Sequence, residues 1–158
     1  DANGNDTAQF TGVNVQVING VDQTTINGLG NLVVGYNNPR SAGSLVCSDG
    51  QYVDQTTCES AGQIWALSHK SGSHNLVAGD GNSYSQSGGV VFGQLNSINR
   101  LYANVSGGRF NIASGVGSSV SGGRTNTASG SYSTVSGGLN RSATGTYDWV
   151  AGSLFETQ

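Results

Sequence analysis

Valine returns along this chain on a fixed period. Val77, Val91, Val105, Val120, Val135 and Val150 follow one another at spacings of 14, 14, 15, 15 and 15. A glycine stands two places after each one: Gly79, Gly93, Gly107, Gly122, Gly137 and Gly152. Three places before each valine the column reads His74, Gly88, Tyr102, Gly117, Tyr132 and Tyr147. A second apolar or small column follows the glycines at Tyr84, Ile98, Ala113, Ala128 and Ala143, with Asn82, Asn96, Asn111 and Asn126 two places ahead of it. The earlier phrase GNLVVGYN puts Val33 and Gly35 in the same register.

So short a period rules out a helical-hairpin repeat or a propeller blade. It fits one coil of an all-β solenoid holding two short parallel strands and two tight turns. Alternate residues of a strand share a face, so the Val column and the Tyr/Ile/Ala column are both expected to point inward. Glycine and asparagine are expected at the turns, where a positive φ costs them least. One valine and one alanine make a thin interior for such a coil. The outward columns beside the valines suggest extra cover: Leu32, Val34, Leu76, Ala78, Val90 and Phe92 early, and Trp149 and Ala151 late. Strands apolar on both faces are buried on both sides. The early outward face therefore reads as a subunit interface, the alternative being cover by the chain's own N-terminal segment.

The pattern divides the chain into three parts. Residues 1–26 form an N-terminal segment in which Phe10–Gly20 alternates Val13, Val15 and Val17 and predicts one longer strand. Residues 27–152 form the solenoid, interrupted by an insertion at about 36–71. Residues 153–158 are expected to cap its end, with Trp149, Leu154 and Phe155 covering the last coil. The insertion holds the single Pro, both cysteines and Trp65. Insertions in a solenoid map to one face, often the binding face.

Composition narrows the functional classes. Gly, Ser and Asn make up about two residues in five, and charged residues only 9%. A net charge of −3 with six Lys and Arg argues against nucleic acid as a partner. No apolar run is long enough for a membrane span. Cys47 and Cys58 predict a disulfide within a polar loop. A metal site there would lack a second CxxC or a nearby His pair. An oxidised pair implies an extracellular or periplasmic location, and the chain reads as a mature or excised piece of a secreted protein.

Catalytic equipment is sparse, so no enzyme, cofactor or metal is expected. Asp49 and Asp54 could serve glycoside hydrolysis, a remote alternative to ordinary solvated acids. A calcium ladder would need its aspartate in every coil, yet the turns equivalent to Asp80 carry Gln94, Arg109, Arg124 and Leu139. The binding candidates are Tyr52 and Trp65 in the insertion, because loops carry function more often than the scaffold. Arg109 and Arg124, one coil apart, form a short basic ladder that could meet an anionic glycan or a partner carboxylate.

The phrases GLGNLVVGYN, SGSHNLVAGDGNSYSQSGGVVFGQLNSI and SSVSGGRTNTASGSYSTVSGG resemble the heads of YadA-like trimeric autotransporter adhesins. That resemblance covers roughly residues 27–35 and 72–152. It implies a left-handed parallel β-roll, three chains side by side as a homotrimer, on a bacterial cell surface. It also implies a non-catalytic head that binds a glycan or an extracellular-matrix or cell-surface protein. The alternative function is a structural subunit of an extracellular filament or sheath.

Overall fold

Each coil can make only two short strands, because turn-forming residues stand within two or three positions of every inward apolar one. The computed structural model describes residue 4 and residues 6–152. β1 (Leu32–Val34) opens the roll, and β2 (Val46–Cys47), α1 (Gln55–Ser60) and β3 (Trp65–Ala66) form the insertion. The stacked coils then supply β4 (Leu76–Asp80), β5 (Ser83–Tyr84), β6 (Val90–Gln94), β7 (Ser97–Ile98), β8 (Asn104–Val105) and β9 (Ile112–Ala113). They continue through β10 (Ser119–Val120), β11 (Thr127–Ala128), β12 (Thr134–Val135), β13 (Ser142–Ala143) and β14 (Trp149–Val150).

The strands of the coils segregate into two sheets. One sheet of seven parallel strands runs β1-β4-β6-β8-β10-β12-β14, and a second of five runs β13-β11-β9-β7-β5. The register puts Val33, Val77, Val91, Val105, Val120, Val135 and Val150 in one line. Tyr84, Ile98, Ala113, Ala128 and Ala143 form the other line. Both lines meet in a single core, with Val33 and Val150 partly covered at its ends. The chain is a parallel β-solenoid of about five turns. Hydrogen bonds pass from coil to coil, as in Asn104 N–H to Ser118 O at 2.8 Å and Ser119 N–H to Ser133 O at 2.9 Å.

The asparagine column does something other than shape a turn. Asn82, Asn96, Asn111 and Asn126 are buried inside the coils. Each Oδ1 accepts the backbone N–H one coil on: that of Asn96 on Asn82 at 3.0 Å, of Asn111 on Asn96 at 2.8 Å and of Asn126 on Asn111 at 2.9 Å. The fourth step ends on Arg141, whose N–H reaches Asn126 at 2.8 Å. Each Nδ2 bridges two carbonyls, in Asn111 those of Gly107 at 3.1 Å and Gly123 at 3.0 Å. One amide thus satisfies one backbone donor and two backbone acceptors inside the roll. The left-handed conformation falls instead on the residue before each asparagine, Gly81, Leu95, Phe110 and Thr125, with φ between 58° and 61°.

The glycine column also needs correction. In the shorter coils the constrained glycines are Gly79 and Gly93, with φ of 107° and 92°. The longer coils insert one residue at this turn, and the constraint passes to the second glycine of each SGG. A Cβ on Gly93, Gly108 or Gly123 would lie 2.4, 2.1 or 2.2 Å from the carbonyl oxygen of the next coil. Gly107 and Gly122 have open space there, as does Gly137.

The longer N-terminal strand is not present. Phe10, Val13 and Val15 are exposed, and no strand forms over Phe10–Gly20 among the described residues. Alternation orders side chains, but a strand forms only where an edge takes its N–H and C=O groups. The segment is held instead at Asn19, whose N–H donates to His74 Nε2 at 3.3 Å and whose Oδ1 accepts from Val21 N–H. Nor does it cover the outward face of the first sheet. Leu32 and Val34 are 52% and 61% exposed, and Leu76 is 37% exposed. The C-terminal cap expected from Leu154 and Phe155 lies outside the described residues. Trp149 stays exposed, its indole N–H donating to Ser136 Oγ at 2.7 Å.

Two neighbouring glycines should separate packing from composition. Gly123→Ala meets a carbonyl at 2.2 Å with φ at +80°, whereas Gly122→Ala meets nothing within 4 Å. The first is expected to lower unfolding free energy by about 2 kcal/mol or more and the second by less than about 0.5 kcal/mol. Urea denaturation followed by circular dichroism measures both.

Candidate recognition cleft under the stapled insertion

The insertion folds locally. Asp54 caps α1, accepting from Thr57 N–H at 3.0 Å, and its bonds to Thr57 hold its carboxyl below its ordinary pKa. β2 and β3 pair antiparallel, with Cys47 opposite Trp65. The predicted disulfide is present: Cys47 and Cys58 are bonded, and both are buried. It ties α1 back to β2, closing a loop that the hairpin alone would leave open.

Docking onto the roll comes from backbone and amide contacts that sequence reading overlooked. Asn99 Nδ2 donates to Cys47 O at 2.9 Å, and Gly50 N–H to Asn99 O at 2.7 Å. Gln86 donates to Ser48 O at 3.0 Å. Arg100 pairs with Asp49 across the same seam. Gly50 must be a glycine here, because a Cβ would lie 2.7 Å from Ser114 O and 2.9 Å from Asn99 Oδ1. At the other end Arg40 is buried and clamps three segments. Its Nε donates to Leu95 O at 2.8 Å and its Nη1 to Ser44 O at 2.6 Å and Leu67 O at 3.4 Å. Burial pushes its pKa down to about 10. The returning end of the insertion runs along β5, with Tyr84 N–H to His69 O at 2.8 Å and Gly72 N–H to Tyr84 O at 3.2 Å.

Between the insertion and the outer face of the second sheet lies a cleft of about 210 Å³. Tyr52 and Trp65, far apart in the loop, both line it, together with Val53, Asn99, Ile112 and Thr127. The structure thus brings the two insertion candidates together. It leaves Arg109 and Arg124 out of the cleft. They sit on the turn edge, bridged in register with Gln94 and Leu139, and both lean on the Phe110 ring at 4.5 and 5.8 Å. Asp49 and Asp54 are committed to Arg100 and to the helix cap. Among the described residues no group of three or more His, Cys, Asp or Glu side chains could hold a metal. Sequence reading could have found Asn99, since its column otherwise reads Ser85, Ser114, Ser129 and Thr144.

The tyrosine column serves its neighbours. Tyr102, Tyr132 and Tyr147 all take a positive φ. That conformation costs a non-glycine residue roughly 1–2 kcal/mol. Each of the first two rings lies over the glycine one coil before it: a Cβ on Gly88 would lie 2.9 Å from Tyr102 and one on Gly117 2.8 Å from Tyr132. Tyr147 stacks on Tyr132 with centroids 5.5 Å apart.

Charge at the seam makes its stability pH-dependent. His69, facing Val46 O at 3.0 Å, is held below its ordinary 6.5 by burial, against that backbone bond and with Arg40 nearby. Burial lowers Lys70 to about 8 although Asp80 opposes this. Both bases bind protons more weakly folded than unfolded, so both penalise folding at low pH. Stability should rise with pH up to about 6.5 through His69, and again between about 8 and 10.5 through Lys70. Urea midpoints measured from mildly acidic to alkaline pH test this, and Lys70→Met should flatten the alkaline rise alone.

No helix of the described residues is long and apolar enough to cross a membrane. A scan of family models finds no match for the chain, and neither the curated proteins nor the solved structures yield a similar one.

Proposed function

We propose that this chain is a non-catalytic extracellular recognition head, a β-roll that presents a disulfide-stapled loop to a ligand on another surface. The observation that carries the reading is the cleft under the loop, where Tyr52 and Trp65 converge on a rigid sheet. A scaffold of backbone hydrogen bonds and buried asparagines holds such a loop in place. The disulfide favours an oxidising location, where a staple persists. Committed carboxylates at Asp49 and Asp54 weigh against the polysaccharide-cleaving alternative.

The assembly is a homotrimer of rolls packed through the outward face of the first sheet. Leu32, Val34 and Leu76 stand exposed there on neighbouring strands, a continuous apolar strip that water disfavours. Native mass spectrometry should give three chains, and Leu76→Asp should give one. An open-ended ladder of masses would favour the filament reading instead.

Recognition is tested on surfaces coated with glycans and matrix proteins. Tyr52→Ala and Trp65→Ala should each weaken adhesion at least tenfold with circular dichroism unchanged. Undiminished adhesion by both variants would place the contact elsewhere. Cys47→Ser with Cys58→Ser should cost the insertion about 3 kcal/mol of loop closure while the Val core stays folded.

A further inference from the structure

The lining of the cleft specifies what it would take, and this step rests on the recognition reading above. Three observations bear on it. First, the lining mixes aromatic and aliphatic surface, from Tyr52, Trp65, Val53 and Ile112, with hydroxyls from Ser114, Thr127 and Ser129. Second, no charged side chain lines it among the described residues, and the nearby Asp49 and Arg100 neutralise one another at the seam. Third, Asn99 is 2% exposed and its Oδ1 has no hydrogen-bond partner, although its Nδ2 and both backbone groups are engaged.

A buried acceptor left unmade costs on the order of 1–3 kcal/mol, so it is a standing demand for a donor. Asn99 lines the cleft, and a small shift of its buried side chain would offer that oxygen to a group that enters there. Ammonium and guanidinium groups would enter without a counter-charge, and a carboxylate or phosphate offers no donor and finds no cation in the lining. A neutral hydroxyl meets the requirement, donating to Asn99 and accepting from the threonine and serine hydroxyls around it. The aromatic and aliphatic surface then calls for a ligand that also carries C–H faces. Hydroxyls on a compact ring with apolar faces describe a pyranose, and so small a cleft is sized for one ring rather than a chain of several.

We infer that the cleft between the stapled insertion and the second sheet binds one neutral sugar ring, with Asn99 Oδ1 accepting from a ring hydroxyl and Tyr52 and Trp65 packing on its C–H face. A single ring in a small open cleft binds weakly, and avidity from several copies on one surface would supply useful adhesion.

The test uses the whole chain, labelled with ¹⁵N, titrated with a panel of methyl glycosides of neutral hexoses and with glucuronic acid. One neutral glycoside is expected to give saturable shifts at the Asn99 side-chain amide and the Trp65 indole, with glucuronic acid at least tenfold weaker. Its deoxy analogue lacking the donated hydroxyl should also lose at least tenfold, since a site built for a hydroxyl rejects a ligand without it. Trp65→Phe should retain binding within about threefold and Trp65→Ala should not. Immobilised oligosaccharides ending in the same sugar separate a terminal glycan unit from a free sugar. Equal binding of glucuronic acid, or shifts that ignore Trp65→Ala, overturns the inference. Surface adhesion lost in Trp65→Ala but not competed by any glycoside also overturns it, in favour of a peptide ligand, and leaves the recognition cleft standing. A glycoside bound at the cleft by a head that adheres to no surface overturns the adhesion reading alone.

Discussion

Everything in this protein depends on the hydrogen bond between one coil and the next. A parallel pair of two-residue strands contributes few ladder bonds, and a coil with one valine and one alanine inside has little hydrophobic surface to bury. What closes the gap is the row of buried amides. Asn82, Asn96, Asn111 and Asn126 each tie two coils together, taking a donor from the following coil and giving to a carbonyl in their own and in the next. Replacing one with an apolar residue of like volume would strand the N–H it accepts, a loss of about 1–3 kcal/mol, and would take a bond from a carbonyl in each of two coils. The polar interior is therefore the ordering principle, and the valines fill the space it leaves.

The insertion uses the same device at larger scale. Its contacts with the roll are mostly amide to carbonyl: Asn99 to Cys47, Gln86 to Ser48, Gly50 to Asn99. Arg40 adds bonds to three backbone carbonyls from separate segments. Such bonds depend on fixed geometry on both sides. The disulfide keeps the loop side fixed, and the asparagine row keeps the roll side fixed. A cleft between two surfaces ordered in this way keeps its shape without a ligand, which lowers the cost of binding one.

The periodic columns made much of the fold legible. Val, Gly and the Tyr/Ile/Ala line recur at spacings that only a two-strand coil explains, and the register pairs them as the spacing predicts. The Cys47–Cys58 pair was legible from loop composition. Three things were not. A buried asparagine and a turn asparagine look alike in sequence, since both sit beside glycine and differ only in which way the side chain points. The shift of the constrained glycine from first to second in SGG follows from one extra residue at that turn. Counting spacings puts that residue in the coil after Val105 but does not assign it a backbone conformation. The alternating Val13, Val15 and Val17 promised a strand, yet a strand is a property of two edges and the sequence of one cannot say whether the other exists.

The extra residue has a further consequence. In the shorter, earlier coils, β4 and β6 run from Leu76 to Asp80 and from Val90 to Gln94, and their outward positions include Leu76, Ala78, Val90 and Phe92. In the longer coils the strands shrink to pairs such as Asn104–Val105 and Ser119–Val120, and the same positions become Asn104, Ser106, Ser119 and Ser121. A longer strand presents more flat surface to a neighbour, whereas the wider turn of SGG breaks that surface with an exposed glycine such as Gly123. From β4 to β12, coil length and outward polarity thus change together. An apolar residue on a flat strand can be covered by another flat strand, and one beside a protruding turn cannot. Trp149 apart, the sticky part of the first sheet lies in its first coils, opposite the sheet that carries the insertion. Association through the first sheet would therefore leave the cleft on the second sheet open to solvent, so assembly and recognition need not compete for the same surface.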